Sequence, residues 1–176
     1  MTEHRRRIDI VLEPEYLEDL DELDLEELRG RRDTAEDVEA QISYYRRLLH
    51  GRLDLLNFEL RRRAGEEEKS LLEALPEILS RGMVFGEEPN LKHIETMPPI
   101  PSKTGRRLID NIMEDGVLTR LPDLGDDEIR DASERLREIE MTLSQQRAQL
   151  HSVIDTLQDE IIARYRSGHD EATVSS

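Results

Sequence analysis

The stretches EAQISYYRRLLHGRLD, residues 39–54, and EMTLSQQRAQLHSVID, residues 140–155, carry the same five polar residues at the same spacing. Both read E-x3-S-x2-R-x3-H-x3-D, and the second begins 101 residues after the first. At about 100° per residue, the five positions of each stretch fall within an arc of about 80° on one helix face. The repeat therefore predicts two polar rows, each lying along one side of a long helix.

An apolar seam beside each row predicts that the helices pack on each other. Apolar residues recur at steps of three and four, which is the a/d pattern of paired helices. The first seam is Val38, Ile42, Tyr45, Leu49, Leu53, Leu56 and Leu60, and the second is Leu136, Ile139, Leu143, Leu150, Ile154, Leu157 and Ile161, interrupted by the polar Gln146. A narrow apolar stripe must be buried against a partner. We therefore expect an all-α protein built on an antiparallel two-helix coiled-coil hairpin, with a shorter helix and a long loop in the connection.

Capping and breaking residues divide the chain into five predicted segments. In chain order they are an acidic N-terminal arm with a short helix at 1–32, the first motif-bearing helix at 33–65, a short helix and proline-containing connection at 66–123, the second motif-bearing helix at 124–168, and a disordered tail at 169–176. The predicted N-caps of the long helices are Asp33 or Thr34, and Asp126 or Asp127. Gly30 is expected to end the short helix of the arm, and Pro76 to break the helix in the connection.

The composition excludes several classes of function. The chain has 176 residues and a net charge of −16, which argues against a general nucleic-acid binder with a broad basic face. It has no Cys, so disulfides and Cys-based zinc sites are excluded. It has no apolar run of 18 residues and does not open with a signal-peptide pattern, so we expect a cytoplasmic protein without membrane contact.

The chemistry of the repeated residues points to a nucleotide ligand. The Arg46 and Arg147 guanidinium groups can pair with a phosphate or with O6 and N7 of guanine. The carboxylates at 54 and 155 can accept from guanine N–H groups, and Ser and His can donate to phosphate oxygens. Glu39 and Glu140 are expected to orient arginines or guanine donors, and Glu39 is spaced to hold the arginine two turns along its own row. An antiparallel pairing would relate the two rows by a pseudo-twofold axis, which suits a twofold-symmetric ligand or two copies of one ligand.

Other readings of the repeat stay open. Long helices carry many solvated charges, and duplication of a helix would explain the match, which continues at Leu49/Leu150, Leu56/Leu157 and Glu59/Glu160. The chain would then be a structural coiled-coil adaptor without a nucleotide ligand. His50 and His151 could form a metal pair, but further ligands are not evident. No catalytic motif is present, and PSKTG at 101–105 lacks the order of a phosphate-binding loop, so we expect no enzymatic activity.

The paired rows resemble the signature of the RsiG family, cyclic-di-GMP-dependent anti-sigma factors that hold the sporulation sigma factor WhiG. That signature is E-x3-S-x2-R-x3-Q-x3-D, once on each of two antiparallel helices. The resemblance assigns ligand binding to Glu39, Ser43, Arg46, His50 and Asp54 in the first copy, and to Glu140, Ser144, Arg147, His151 and Asp155 in the second, with His where the family has Gln. It implies that two cyclic di-GMP molecules bind across the coiled coil. It further implies that the loaded protein sequesters a WhiG-like sigma factor and blocks transcription without binding DNA itself.

Overall fold

The computed structural model describes residues 7–84, 117–118 and 120–174. Within these ranges the chain forms four α-helices, which are Arg7–Val11 (α1), Leu25–Arg63 (α2), Leu71–Val84 (α3) and Asp126–Val174 (α4). Two 3-10 helices lie at Pro14–Leu17 and Leu121–Asp123. No strand occurs in the described residues, and the predicted all-α class is confirmed.

The chain forms two compact units, one from residues 1–42 and 145–176 and the other from residues 43–144. In each unit a part of α2 packs against a part of α4. Cross-helix hydrogen bonds include those from Arg32 to Gln158 and from Arg147 to Glu39 in the first unit, and those from Arg137 to Asn57 and from Arg63 to Asp126 in the second. Because the partners descend along α4 as α2 advances, the helices are antiparallel and the predicted helical hairpin is confirmed.

The predicted seams supply half of the buried apolar residues of the described chain. In the first unit the buried seam residues are Val38, Ile42, Leu150, Leu157 and Ile161, joined by Leu28, Ala35 and Val153. In the second they are Tyr45, Leu49, Leu53, Leu56, Leu136 and Leu143, joined by Ile129 and Ala132. Each fully buried leucine stabilises the fold by roughly 1.5–3 kcal/mol. This burial along both seams holds the polar rows at the edge of the helix interface.

Helix α2 begins earlier than predicted, which corrects the boundary expected near residue 33. The Asp24 carboxylate accepts a hydrogen bond from the Glu27 N–H at 2.8 Å, and Glu27 accepts one from the Asp24 N–H at 2.9 Å. This reciprocal capping box starts the helix at Leu25. The helix then passes through Gly30, whose cost of about 1 kcal/mol is outweighed by the cap and by the burial of Leu28.

Helix α3 packs on the C-terminal part of α2 within the second unit. Ser70 and Glu73 form its capping box, with the Ser70 N–H donating to Glu73 at 2.8 Å. The helix runs through Pro76 without the predicted break. Its apolar face closes a cluster formed by Leu55, Phe58, Ala74 and Ile78. The prolines at 89, 98, 99 and 101 in the predicted connection lie outside the described residues.

Helix α4 begins at Asp126, so Gly125 occupies the N-cap position predicted for Asp126 or Asp127. The Glu128 carboxylate accepts a hydrogen bond from the Gly125 N–H at 2.7 Å. It continues to Val174. The disordered tail predicted at 169–176 is therefore corrected for residues 169–174, which are helical. Gly168 lowers helix propensity by about 1 kcal/mol but does not by itself end a helix.

Candidate functional site

The first unit contains an ionic cluster formed by Glu39, Arg147 and His151, which we call the first cluster. Glu39 lies on α2, and the other two residues lie on α4. Arg147 Nε donates to Glu39 Oε1 at 2.8 Å, and His151 Nε2 lies 3.4 Å from the same oxygen. The glutamate of the first motif therefore faces the arginine and histidine of the second motif.

The second unit contains the second cluster, formed by Glu140, Arg46, His50 and Ser144. Arg46 donates to Glu140 Oε1 through Nη2 at 3.1 Å and through Nε at 3.2 Å. His50 Nε2 lies 3.1 Å from that oxygen, and Ser144 Oγ donates to it at 2.7 Å. Burial raises the pKa of the Glu140 carboxyl. The hydrogen bonds from Ser144, His50 and Arg46 outweigh that effect and hold its pKa below the ordinary value.

The two clusters repeat one set of contacts with the roles of the helices exchanged. We predicted that Glu39 holds an arginine of its own row, two turns away. Instead it holds Arg147 of the other motif, and Arg46 bonds Glu140. Seven residues span about 10 Å along a helix, beyond the reach of a direct pair, whereas an antiparallel neighbour brings the partner alongside.

The remaining motif residues lie beside these clusters. Ser43 is half-buried, and Asp54 and Asp155 are exposed. Each aspartate follows a cluster histidine by one helical turn on the same helix, so His50 precedes Asp54 and His151 precedes Asp155. The structure thus brings together the glutamate, arginine and histidine of opposite motifs. It leaves the two aspartates facing solvent, with their carboxylates available as hydrogen-bond acceptors.

Each cluster can present an arginine fork and an imidazole at a partly open surface, and the second cluster adds the Ser144 hydroxyl. The side chains of Arg46 and Glu140 are each 22% exposed, and that of His50 is 37% exposed. A phosphate or a guanine edge could replace the carboxylate as the partner of the arginine, because both offer a bidentate acceptor. Within the described part of the chain, no group of three or more His, Cys, Asp or Glu residues could hold a metal ion.

The repeat extends beyond the motifs to a pair of arginine clamps that we did not predict from the sequence. In the second unit Arg63 donates to the backbone oxygens of Leu121 at 2.9 Å and Leu124 at 2.6 Å. In the first unit Arg164 donates to those of Leu20 and Leu23, both at 2.8 Å. Each clamp is held by a glutamate one turn earlier at 2.7 Å, Glu59 for Arg63 and Glu160 for Arg164. Each clamp residue of the first copy lies 101 positions before its counterpart in the second copy. The duplication therefore covers residues 20–63 and 121–164.

The described residues of the predicted acidic arm are packed within the first unit. Tyr16 donates from its hydroxyl to the Arg31 backbone oxygen at 2.7 Å, and Arg31 donates back to the Tyr16 backbone oxygen at 2.8 Å. The Arg164 clamp fixes the following turn at residues 20–23. Residues 13–27 carry nine acidic and no basic side chains, and most of the nine are exposed. The arm therefore presents an ordered acidic surface.

Comparison with known families supports the resemblance found in the motifs. Residues 14–79 match the family described as RsiG-like. The matched segment includes residues 14–32 of the acidic arm, α2 with all five residues of the first motif, and the first part of α3. The second motif lies outside it. No curated protein is significantly similar to the chain. Within the described ranges, none of the helices combines the length and apolarity that a membrane span requires.

Proposed function

From the RsiG-like match over residues 14–79, we propose that this chain is an anti-sigma factor whose ligand is cyclic di-GMP. When loaded, it sequesters a sporulation-type, WhiG-like sigma factor and so blocks transcription. The observation that carries the proposal is the reciprocal pairing of the motifs, in which each glutamate faces the arginine and histidine of the other motif. Such an arrangement offers two equivalent sites, one in each unit, for two cyclic di-GMP molecules.

Each motif residue has a role in this proposal. Arg46 and Arg147 donate hydrogen bonds to guanine and neutralise phosphate charge. Asp54 and Asp155 accept hydrogen bonds from guanine N–H groups, and their exposure leaves them free to do so. The residues that contact phosphate or sugar are Ser43, Ser144, His50 and His151. Glu39 and Glu140 hold the arginines in position before the ligand arrives.

Ligand-dependent binding of a sigma factor follows from linkage. A ligand that binds only the partner-competent form shifts the population toward that form. The net charge of −16 and the ordered acidic arm complement a partner with a basic, DNA-facing surface. Covering such a surface would compete with promoter DNA, and the anti-sigma factor would not need to contact DNA itself.

The competing function is a structural coiled-coil adaptor without a nucleotide ligand. It is favoured by the extent of the duplication, because the clamps at Arg63 and Arg164 repeat backbone contacts that stabilise the fold. Duplication alone would then explain the paired motifs. On this view, substitutions of the motif residues act as ordinary surface changes, within about 0.5 kcal/mol of unfolding free energy.

Calorimetric titration of cyclic di-GMP into the full chain separates the two functions. We expect saturable binding that is lost in both Arg46→Ala and Arg147→Ala, while the exposed Arg130→Ala serves as a matched control and binds normally. Thermal melting of each variant verifies that it folds. If no binding is seen for the protein alone, the titration is repeated with a WhiG-like sigma factor present. Absence of binding in both conditions would reject the ligand and favour the adaptor.

A further inference from the structure

Neither cluster contains an unpaired positive charge for an anionic ligand. Arg147 is paired with Glu39 in the first cluster, and Arg46 is paired with Glu140 in the second. With neutral histidines, each cluster therefore carries one positive and one negative charge. Asp54 and Asp155 add further negative charge beside the clusters. A ligand with phosphodiester groups must enter sites that are neutral to acidic, in a chain with a net charge of −16.

Recruiting the arginine to a phosphate would leave a carboxylate behind. Glu140 is partly buried, and the pKa of its carboxyl lies below the ordinary value, so it stays ionised near neutral pH. An ionised, partly buried carboxylate that loses its cation is destabilised. Ser144 donates a hydrogen bond to Glu140 but brings no charge. A second cation at each cluster would therefore stabilise the ligand-bound state.

The histidines are the motif residues that can supply this cation. Histidine is the side chain that gains or loses its charge between pH 5 and 8. His50 Nε2 lies 3.1 Å from Glu140 Oε1, with Arg46 on its own helix bonded to the same oxygen. His151 Nε2 lies 3.4 Å from Glu39 Oε1, with Arg147 in the equivalent place. Across the helix interface, each histidine thus faces one carboxylate that is shared with one arginine.

We infer that binding of cyclic di-GMP is coupled to protonation of His50 and His151, so that its affinity rises as the pH falls from 8 to 6. The inference rests on the proposed function, because it takes cyclic di-GMP as the ligand of the two clusters. In the bound state the imidazolium compensates the glutamate, and the arginine is released to the phosphate or to guanine. The chain would then respond to two signals, the second messenger and the proton concentration.

The test is calorimetric titration of cyclic di-GMP into the full chain across pH 6–8. At one pH it is repeated in two buffers with different ionisation enthalpies, which gives the number of protons taken up. We expect the dissociation constant to fall by up to about tenfold per pH unit for each proton taken up. The double variant His50→Gln/His151→Gln keeps a neutral hydrogen-bond donor at both positions. We expect it to bind without proton uptake and with a nearly flat pH profile. His93→Gln, outside the motifs, is the control and should behave as the wild type.

The outcomes separate this inference from the proposed function. Binding without proton uptake in the wild type, or the same pH profile in the wild type and the double variant, would overturn proton coupling and leave cyclic di-GMP as the ligand. Absence of binding at every pH, alone and with a sigma factor, would overturn the proposed function and this inference with it.

Discussion

The Glu39 carboxylate accepts a hydrogen bond from Arg147 at 2.8 Å, so a residue of the first motif holds the arginine of the second. The equivalent bond, from Arg46 to Glu140, occurs in the other unit. A double-mutant cycle should therefore show coupling across the motifs. For Glu39→Gln with Arg147→Gln, we expect a coupling of about 1 kcal/mol in unfolding free energy, because both side chains are partly buried. Urea denaturation measures it.

The control for this cycle is Glu39→Gln combined with Arg46→Gln, two residues of one motif that bond different partners. Their effects should add within about 0.5 kcal/mol. Equal coupling in both cycles would contradict the cross-motif pairing.

The buried Glu59 should make stability depend on pH. This residue is 2% exposed, and hydrogen bonds from Arg62, the largest cause, and from Arg63 hold its pKa below the ordinary value. Its contribution is therefore fully present above the unfolded-state pKa of about 4.3 and is lost as the pH falls through the lower folded-state pKa. Glu59→Gln should lower the free energy of unfolding by about 2–4 kcal/mol at pH 7.

Denaturation curves from pH 7 to pH 3 provide the measurement for Glu59. The wild type and Glu59→Gln should converge in stability at the acidic end. Glu160→Gln is the matched control, since it holds the equivalent clamp but is only half-buried, and its effect should be smaller. A cost for Glu59→Gln that does not change with pH would show that ionisation of Glu59 does not stabilise the fold.

The Tyr45 hydroxyl should be dispensable for stability. Tyr45 is 5% exposed, and its hydroxyl makes no hydrogen bond to any described residue. Because a buried polar group without a partner is costly, Tyr45→Phe should leave stability unchanged or raise it by up to about 1 kcal/mol. The neighbouring Tyr44→Phe is the control, with an expected change within about 0.5 kcal/mol. Denaturant midpoints measure the change in stability. A loss of more than about 1 kcal/mol in unfolding free energy for Tyr45→Phe would reveal a hydrogen bond at this position.

The exposed aspartates of the motifs should affect ligand binding and leave folding intact. If Asp54 and Asp155 accept hydrogen bonds from guanine N–H groups, changing either to Ala should weaken cyclic di-GMP binding by about 10- to 100-fold. The melting temperature should hardly change, because both side chains are exposed. Asp159→Ala, one turn beyond Asp155 and also exposed, is the control for calorimetry. Equal affinity in all three variants would remove the aspartates from the site.

The duplication illustrates how far a motif could be followed from the sequence. The five repeated polar residues stand out because Ser and His recur at one spacing. The clamps of Arg63 and Arg164 were missed, because their partners are backbone oxygens, which leave no mark in the sequence. The signal that could have found them is the match of Leu20 and Leu23 with Leu121 and Leu124 at the same offset of 101.

Helical periodicity was sufficient to assign the helical class, the seams and the faces on which the motif residues lie, because it gives every side chain a direction around the helix axis. The partners that those residues contact depend on how the two helices pack. Glu39 bonds Arg147 because antiparallel packing brings a neighbouring helix closer than the next turns of its own. The folded structure also sets the start of α2 at Leu25, because a capping box and a buried leucine together outweigh the local cost of one glycine.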